Sequence, residues 1–166
     1  MATGSDQTGS ARLSARQRFL AGAEAAGMAP EILRFPQGTR TAEQAAAAVG
    51  CELGQIVKSL VFLCDGDAVL ALTSGANRVD IKRLGELLGG TISRADADGV
   101  REATGYAIGG TPPFGHAQPL RAVVDPALLA FETVWAAAGT PDTVFELTPD
   151  ELVRASGAGV GDFAAG

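Results

Sequence analysis

From Ile56 to Cys64 the chain holds Val57, Leu60, Val61, Phe62 and Leu63 within about nine residues. After Asp65-Gly66-Asp67 it resumes as Ala68 to Thr73. An Asp-Gly pair between two β-prone runs is a strong short-range signal for a hairpin. The fold must therefore be built on a sheet that contains this pair, and the rest of the sequence is read around it.

The flanking segments change period. Leu13 to Ala26 reads as a helix stopped at Gly27. Glu31 to Phe35 reads as a short strand closed by Pro36 and Gly38. Thr41-Ala42-Glu43-Gln44 has the form of a capping box, followed by an alanine run that favours helix up to Gly50. Asp80 to Leu88 places Ile81, Leu84, Leu87 and Leu88 on one face and ends at Gly89-Gly90. Asp96 to Ala103 predicts another short helix. Leu120 to Val124, Thr133 to Ala137 and Val144 to Leu147 read as strands. Thr148-Pro149-Asp150-Glu151 opens a final helix with an N-cap, a proline at the first position and a glutamate reaching back. Helices and strands do not alternate strictly. The expectation is α+β: a single compact mixed domain on a curved, barrel-like sheet flanked by helices. Residues 11–166 are assigned to that domain, and 1–10 to a disordered lead-in with no apolar centre.

Composition narrows the function. A net charge of −6 argues against a general nucleic-acid coat and against a DNA-binding regulator, since such surfaces are basic. No apolar run approaches the roughly 18 residues a membrane helix needs. Cys51 and Cys64 read as reduced thiols of a cytoplasmic protein. With one histidine and no paired cysteine motif, neither a metal nor a cofactor is expected.

Lys58 is the most informative residue. At period two it shares a face with Ile56, Leu60 and Phe62, where an ammonium is costly unless its charge is used or reaches water. The bland alternative is a strand-end lysine with its head in solvent. Gly105 to Gly115 carries four glycines and two prolines, a backbone a ligand can approach and whose N–H groups can turn inward; a plain turn is the competing reading. The segment lacks the Lys and Ser/Thr of a phosphate-binding loop. His116 is a candidate base or substrate ligand, or a simple surface histidine. Arg78, Lys82 and Arg83 form a small basic cluster, either a solvated face or a tRNA phosphate contact. No Gly-x-Ser-x-Gly elbow is present.

Four segments together, Gln55-Ile56-Val57-Lys58-Ser59-Leu60-Val61-Phe62, Leu72 to Asp80, Gly105-Tyr106-x-x-Gly109-Gly110-x-x-Pro113-Phe114-Gly115 and Val124-Asp125, resemble the YbaK/EbsC-type aminoacyl-tRNA editing domain. The similarity runs from about Thr41 to Phe163. It implies a mixed α/β fold around a barrel-like sheet, shared with the editing insertion of bacterial prolyl-tRNA synthetases and with free-standing relatives. It implies a trans-acting deacylase that hydrolyses a wrong small amino acid from tRNA, proline tRNA by family habit, with prolyl-tRNA synthetase as an associated protein. Lys58 matches the family's key lysine, and Gly109 to Pro113 matches its pocket-lining loop. On this basis Lys58, Gly109 and Gly110 are the expected catalytic set. Ser59, Leu60, Thr73, Ser74, Ile108, Pro113, Phe114 and His116 are expected to touch substrate. The sequence departs from the cysteine-removing branch at Ala137 and Val144, where that branch has serine and aspartate. It departs from the alanine-editing branch at Ser59, where asparagine is usual. A non-catalytic module that binds aminoacyl-tRNA or a synthetase is the alternative.

Overall fold

The computed structural model describes residues 14–39 and 41–165; the expected lead-in, residues 1–10, lies outside them. Helix α1 (Ala15–Ala25) begins at a Ser14–Gln17 capping box. Strand β1 (Leu33–Arg34) follows, then α2 (Ala42–Val49), capped reciprocally by Thr41 and Gln44. A 3₁₀ turn, Leu53–Gln55, leads into β2 (Val57–Cys64) and β3 (Asp67–Ser74). Asp65 and Gly66 take φ of 51° and 90°, so the hairpin closes on two residues in the left-handed region. Next come α3 (Ile81–Leu88), β4 (Ile92–Arg94) and α4 (Ala97–Thr104). Strand β5 (Arg121–Val124) is followed by a second 3₁₀ turn, Pro126–Ala130. Strands β6 (Val134–Ala137) and β7 (Thr143–Leu147), helix α5 (Pro149–Ser156) and β8 (Gly159–Val160) complete the chain.

The strands form two sheets, β4-β2-β3-β5-β8 and β1-β7-β6. Within the larger one β2 is antiparallel to β3 and β4, while β5 is parallel to β3 and β8. The main core lies between the sheets. It takes Val57, Val61, Leu70, Leu72 and Val124 from one and Val134, Ala136, Phe145 and Leu147 from the other, sealed by Phe19 of α1 and Leu152 of α5. A second cluster, with Leu84 and Phe163, fills the opposite face of the larger sheet under α3. Period two thus gives β2 two buried faces, odd positions toward the main core and even positions toward the second cluster.

The mixed α+β class is as expected, but the sheet does not close into a barrel. The reason lies along the outer edge of β2. Strand β4 pairs only with Phe62–Cys64. At the other end the smaller sheet meets β2 through one bridge, Ile56 with Trp135, beside a bond from Gln55 Nε2 to the Thr133 carbonyl of 3.1 Å. Between these points Ser59 to Val61 has no ladder partner on that side. The split that prevents closure opens a cavity along this edge.

Candidate active site

The cavity measures about 530 Å³. One wall is Ile56 to Phe62 of β2. Trp135 to Ala137 of β6 and Val144 of β7 face it. Arg94, Ala95 and Val100 close one end, and Thr39, Ala42, Glu43 and Ala45 the other, with Ile108, Gly109 and Thr111 at the glycine-rich loop. The volume falls within the roughly 300–1,000 Å³ of small-molecule sites.

Lys58 is half-buried on this wall, and its Nζ donates to the Asn77 carbonyl at 2.6 Å. Burial pushes the ammonium below the ordinary lysine range. The Glu43 carboxylate opposes that shift, Arg78 adds to it, and Asp125 opposes it. Asp125 is only 2% exposed. Its carboxylate accepts from Asn77 Nδ2 at 2.9 Å, the Ser74 N–H at 3.1 Å and the Ala127 N–H at 2.9 Å. Gly75 also lines the cavity, and a Cβ there would collide with the Leu53 carbonyl oxygen. The chain passes too closely at that point for any other residue.

The expected site residues divide by position. Lys58, Ser59, Leu60, Ile108 and Gly109 line the cavity, with Ile108 60% exposed at its mouth. Ser59 Oγ is buried without a hydrogen-bond partner. Gly109 has φ of 87°, a backbone state that favours glycine. The N–H of Gly110, a member of the expected catalytic set, donates to the Ala107 carbonyl at 3.0 Å. A tight turn consumes it.

Other expected substrate contacts serve the scaffold. Thr73 is fully buried, and the Ser74 hydroxyl donates to the Gly54 carbonyl at 2.8 Å. Pro113 is buried. Phe114 stacks on Phe19 at 5.4 Å and meets Phe145 edge-on in the main core. His116 Nε2 lies 2.7 Å from the Pro112 carbonyl, and burial lowers its pKa while that bond raises it. With the Tyr106 hydroxyl donating to the Gly115 carbonyl at 2.8 Å, His116 braces the loop from behind. Of the basic cluster, Arg78 and Lys82 are exposed. Arg83 is committed to the Ala164 carbonyl at 2.6 Å and to Asp162 at 2.9 Å.

Asn77, Asp125, Glu43 and Trp135 were not singled out from the sequence. Asn77 and Asp125 carried a signal only as members of the Leu72–Asp80 and Val124-Asp125 segments of the family resemblance, and Glu43 only as part of a capping box. Ala137 and Val144, the positions that depart from the cysteine-removing branch, pair in register on the cavity wall. Among the described residues no group of three or more His, Cys, Asp or Glu is placed to hold a metal.

A family model for the aminoacyl-tRNA editing domain matches residues 36–155. The chain belongs to the YbaK-type aminoacyl-tRNA editing domain family. Relatives of this editing domain include YwhH of Bacillus subtilis, 37% identical over 123 residues, covering 74% of this chain and 78% of that one. A proline–tRNA ligase of Maridesulfovibrio salexigens is 36% identical over 101 residues, covering 60% of this chain but only 17% of the ligase. Among solved structures, a protein proposed as a trans-editing enzyme for prolyl tRNA synthetase superposes with a TM-score of 0.87 at 47% identity, covering 93% of this chain and 99% of that one. The hypothetical protein APE2540 superposes with a TM-score of 0.82 at 34% identity, covering 89% and 99%.

Proposed function

We propose that this editing domain is a trans-acting deacylase that hydrolyses the ester joining a mischarged small amino acid to tRNA, with proline tRNA as the carrier. It would act in the cytoplasm on the acceptor end, alongside prolyl-tRNA synthetase. The observation that carries this reading is the cavity itself, lined by both a half-buried lysine and a glycine-bearing loop, in a member of an editing family.

The chemistry follows from the groups present. Lys58 donates a hydrogen bond to the ester carbonyl or the terminal ribose-phosphate and fixes the reacting atoms. The Gly109 N–H takes the developing oxyanion. Water attacks the ester carbon, the bond to the ribose oxygen breaks, and that oxygen leaves with a proton from the water. The products are a free amino acid and an uncharged tRNA. Leu60, Ile108, Ala137 and Val144 set an apolar size limit, and the unpartnered Ser59 hydroxyl offers a polar contact beside them. A second sieve is needed because a methylene contributes only about 1–3 kcal/mol to discrimination in a synthetase pocket. Arg78 and Lys82 are exposed to meet acceptor-stem phosphate.

The test is ester loss from proline tRNA charged separately with alanine, serine, threonine, cysteine and 2-aminobutyrate. The wild type is expected to cleave at least one. Lys58→Ala is expected to lose about 100-fold or more, the scale of a mispositioned reacting group. Unchanged ester lifetimes with the wild type would instead mark a protein that binds aminoacyl-tRNA without cleaving it.

A further inference from the structure

The Asp125 carboxylate is buried yet forms no ion pair among the described residues. A charge in that position is costly unless hydrogen bonds satisfy it. Its three N–H donors come from the end of β3, from Asn77 and from the 3₁₀ turn after β5. The Ser74–Asn77 turn is tied again by Ser74 Oγ donating to the Gly54 carbonyl and by the Asn77 N–H donating to the Ser74 carbonyl at 2.9 Å. The Ser74–Asn77 segment is therefore fixed from several sides. The Asn77 carbonyl of this segment takes a hydrogen from Lys58. An ammonium has three donors, so this bond leaves two without a partner among the described residues, on a side chain that lines the cavity.

We propose that Asn77 and Asp125 are positioning residues for Lys58. The buried carboxylate locks the Ser74–Asn77 turn, and the locked carbonyl sets the direction of the ammonium. The inference rests on the reading that Lys58 acts on the ester. Neither residue touches substrate. The charged groups around Lys58 are Glu43 from α2, Arg78 beyond the turn and Asp125 behind it. Asn77→Ala keeps the carbonyl and Glu43 while releasing the turn from Asp125.

Lys58 and Lys82 are the only lysines. Protein carrying ¹³C-labelled lysine thus gives two side-chain ε signals by NMR, assigned with Lys82→Arg. In the wild type the two Lys58 ε-protons are expected to be inequivalent, as for a held side chain, and those of Lys82 averaged. In Asn77→Ala and Asp125→Asn the Lys58 pair is expected to collapse toward the averaged form. On the best-cleaved tRNA of the panel above, Asn77→Ala is expected to lower kcat about tenfold or more with KM within about twofold. In a Lys58→Ala background it is expected to add no further loss. Unchanged Lys58 signals in Asn77→Ala overturn the proposal, as does a loss that adds in full to that of Lys58→Ala. Should Asp125→Asn not fold, Asn77→Ala carries the test alone. Full activity of Lys58→Ala would instead strike the proposed function, and the NMR result would still decide whether the pair holds the lysine.

Discussion

Lys58 and His116 are both candidate site residues whose ionisation burial disfavours, and their surroundings part them. Lys58 lines the cavity and among the described residues commits one ammonium hydrogen, to Asn77, whereas His116 spends Nε2 on the Pro112 carbonyl. Because the folded state lowers the His116 pKa, it binds fewer protons than the unfolded chain in the window below about 6.5. The neutral ring's contribution is complete above that pH and is lost as pH falls through the window toward the folded-state value. Thermal melts from pH 8 down to pH 5 are expected to show stability falling on the acid side, with a shallower slope in His116→Gln. An identical slope in the variant would remove His116 as the source.

At the scale of elements, the glycine-rich segment and the β3–α3 turn form two sides of one site, and each relies on glycine for a different reason. Gly109 is held at positive φ, while Gly75 lies against Leu53, Ala42 and Ile56, where no Cβ fits. Gly75→Ala must push apart the 3₁₀ turn and the start of α2, and overpacking of this kind costs about 1–3 kcal/mol. Urea unfolding is expected to show a lower midpoint at unchanged m-value. A variant as stable as the wild type would mean that this contact yields freely. The hairpin and the capping boxes at Thr41 and Thr148 were legible in sequence, because each is a local pattern of a few neighbouring residues. Strand β4 and the two-residue β8 were not. Ile92-Ser93-Arg94 and Gly159-Val160 have no strand signature of their own and are strands only because Cys64 and Val124 lie beside them.

Across the whole molecule the last residues return to the site. Phe163 is fully buried in the second cluster, its carbonyl accepts from the Asp80 N–H at 2.8 Å, and the Ala165 N–H donates to the Arg78 carbonyl at 2.8 Å. With Arg83 clamping Ala164 and Asp162, this return closes the far side of the loop that carries Asn77. Phe163→Ala is expected to cost about 3–5 kcal/mol, the range for a large aromatic removed from a core. Denaturant titration measures that loss, and a change below about 1 kcal/mol would show that the C-terminal return is not anchored by this ring.

The amino-acid order by itself determined the hairpin, the helix boundaries, the α+β class and Lys58 as the residue to watch, because period, capping and turn chemistry act between near neighbours. Only the tertiary structure decided that the sheets remain apart, that Gly110 and His116 serve their own loop, and that Asn77 and Asp125 stand behind the lysine. Those outcomes depend on which donor meets which acceptor across tens of residues of chain. Burial makes each such pairing compulsory, and no local pattern records it.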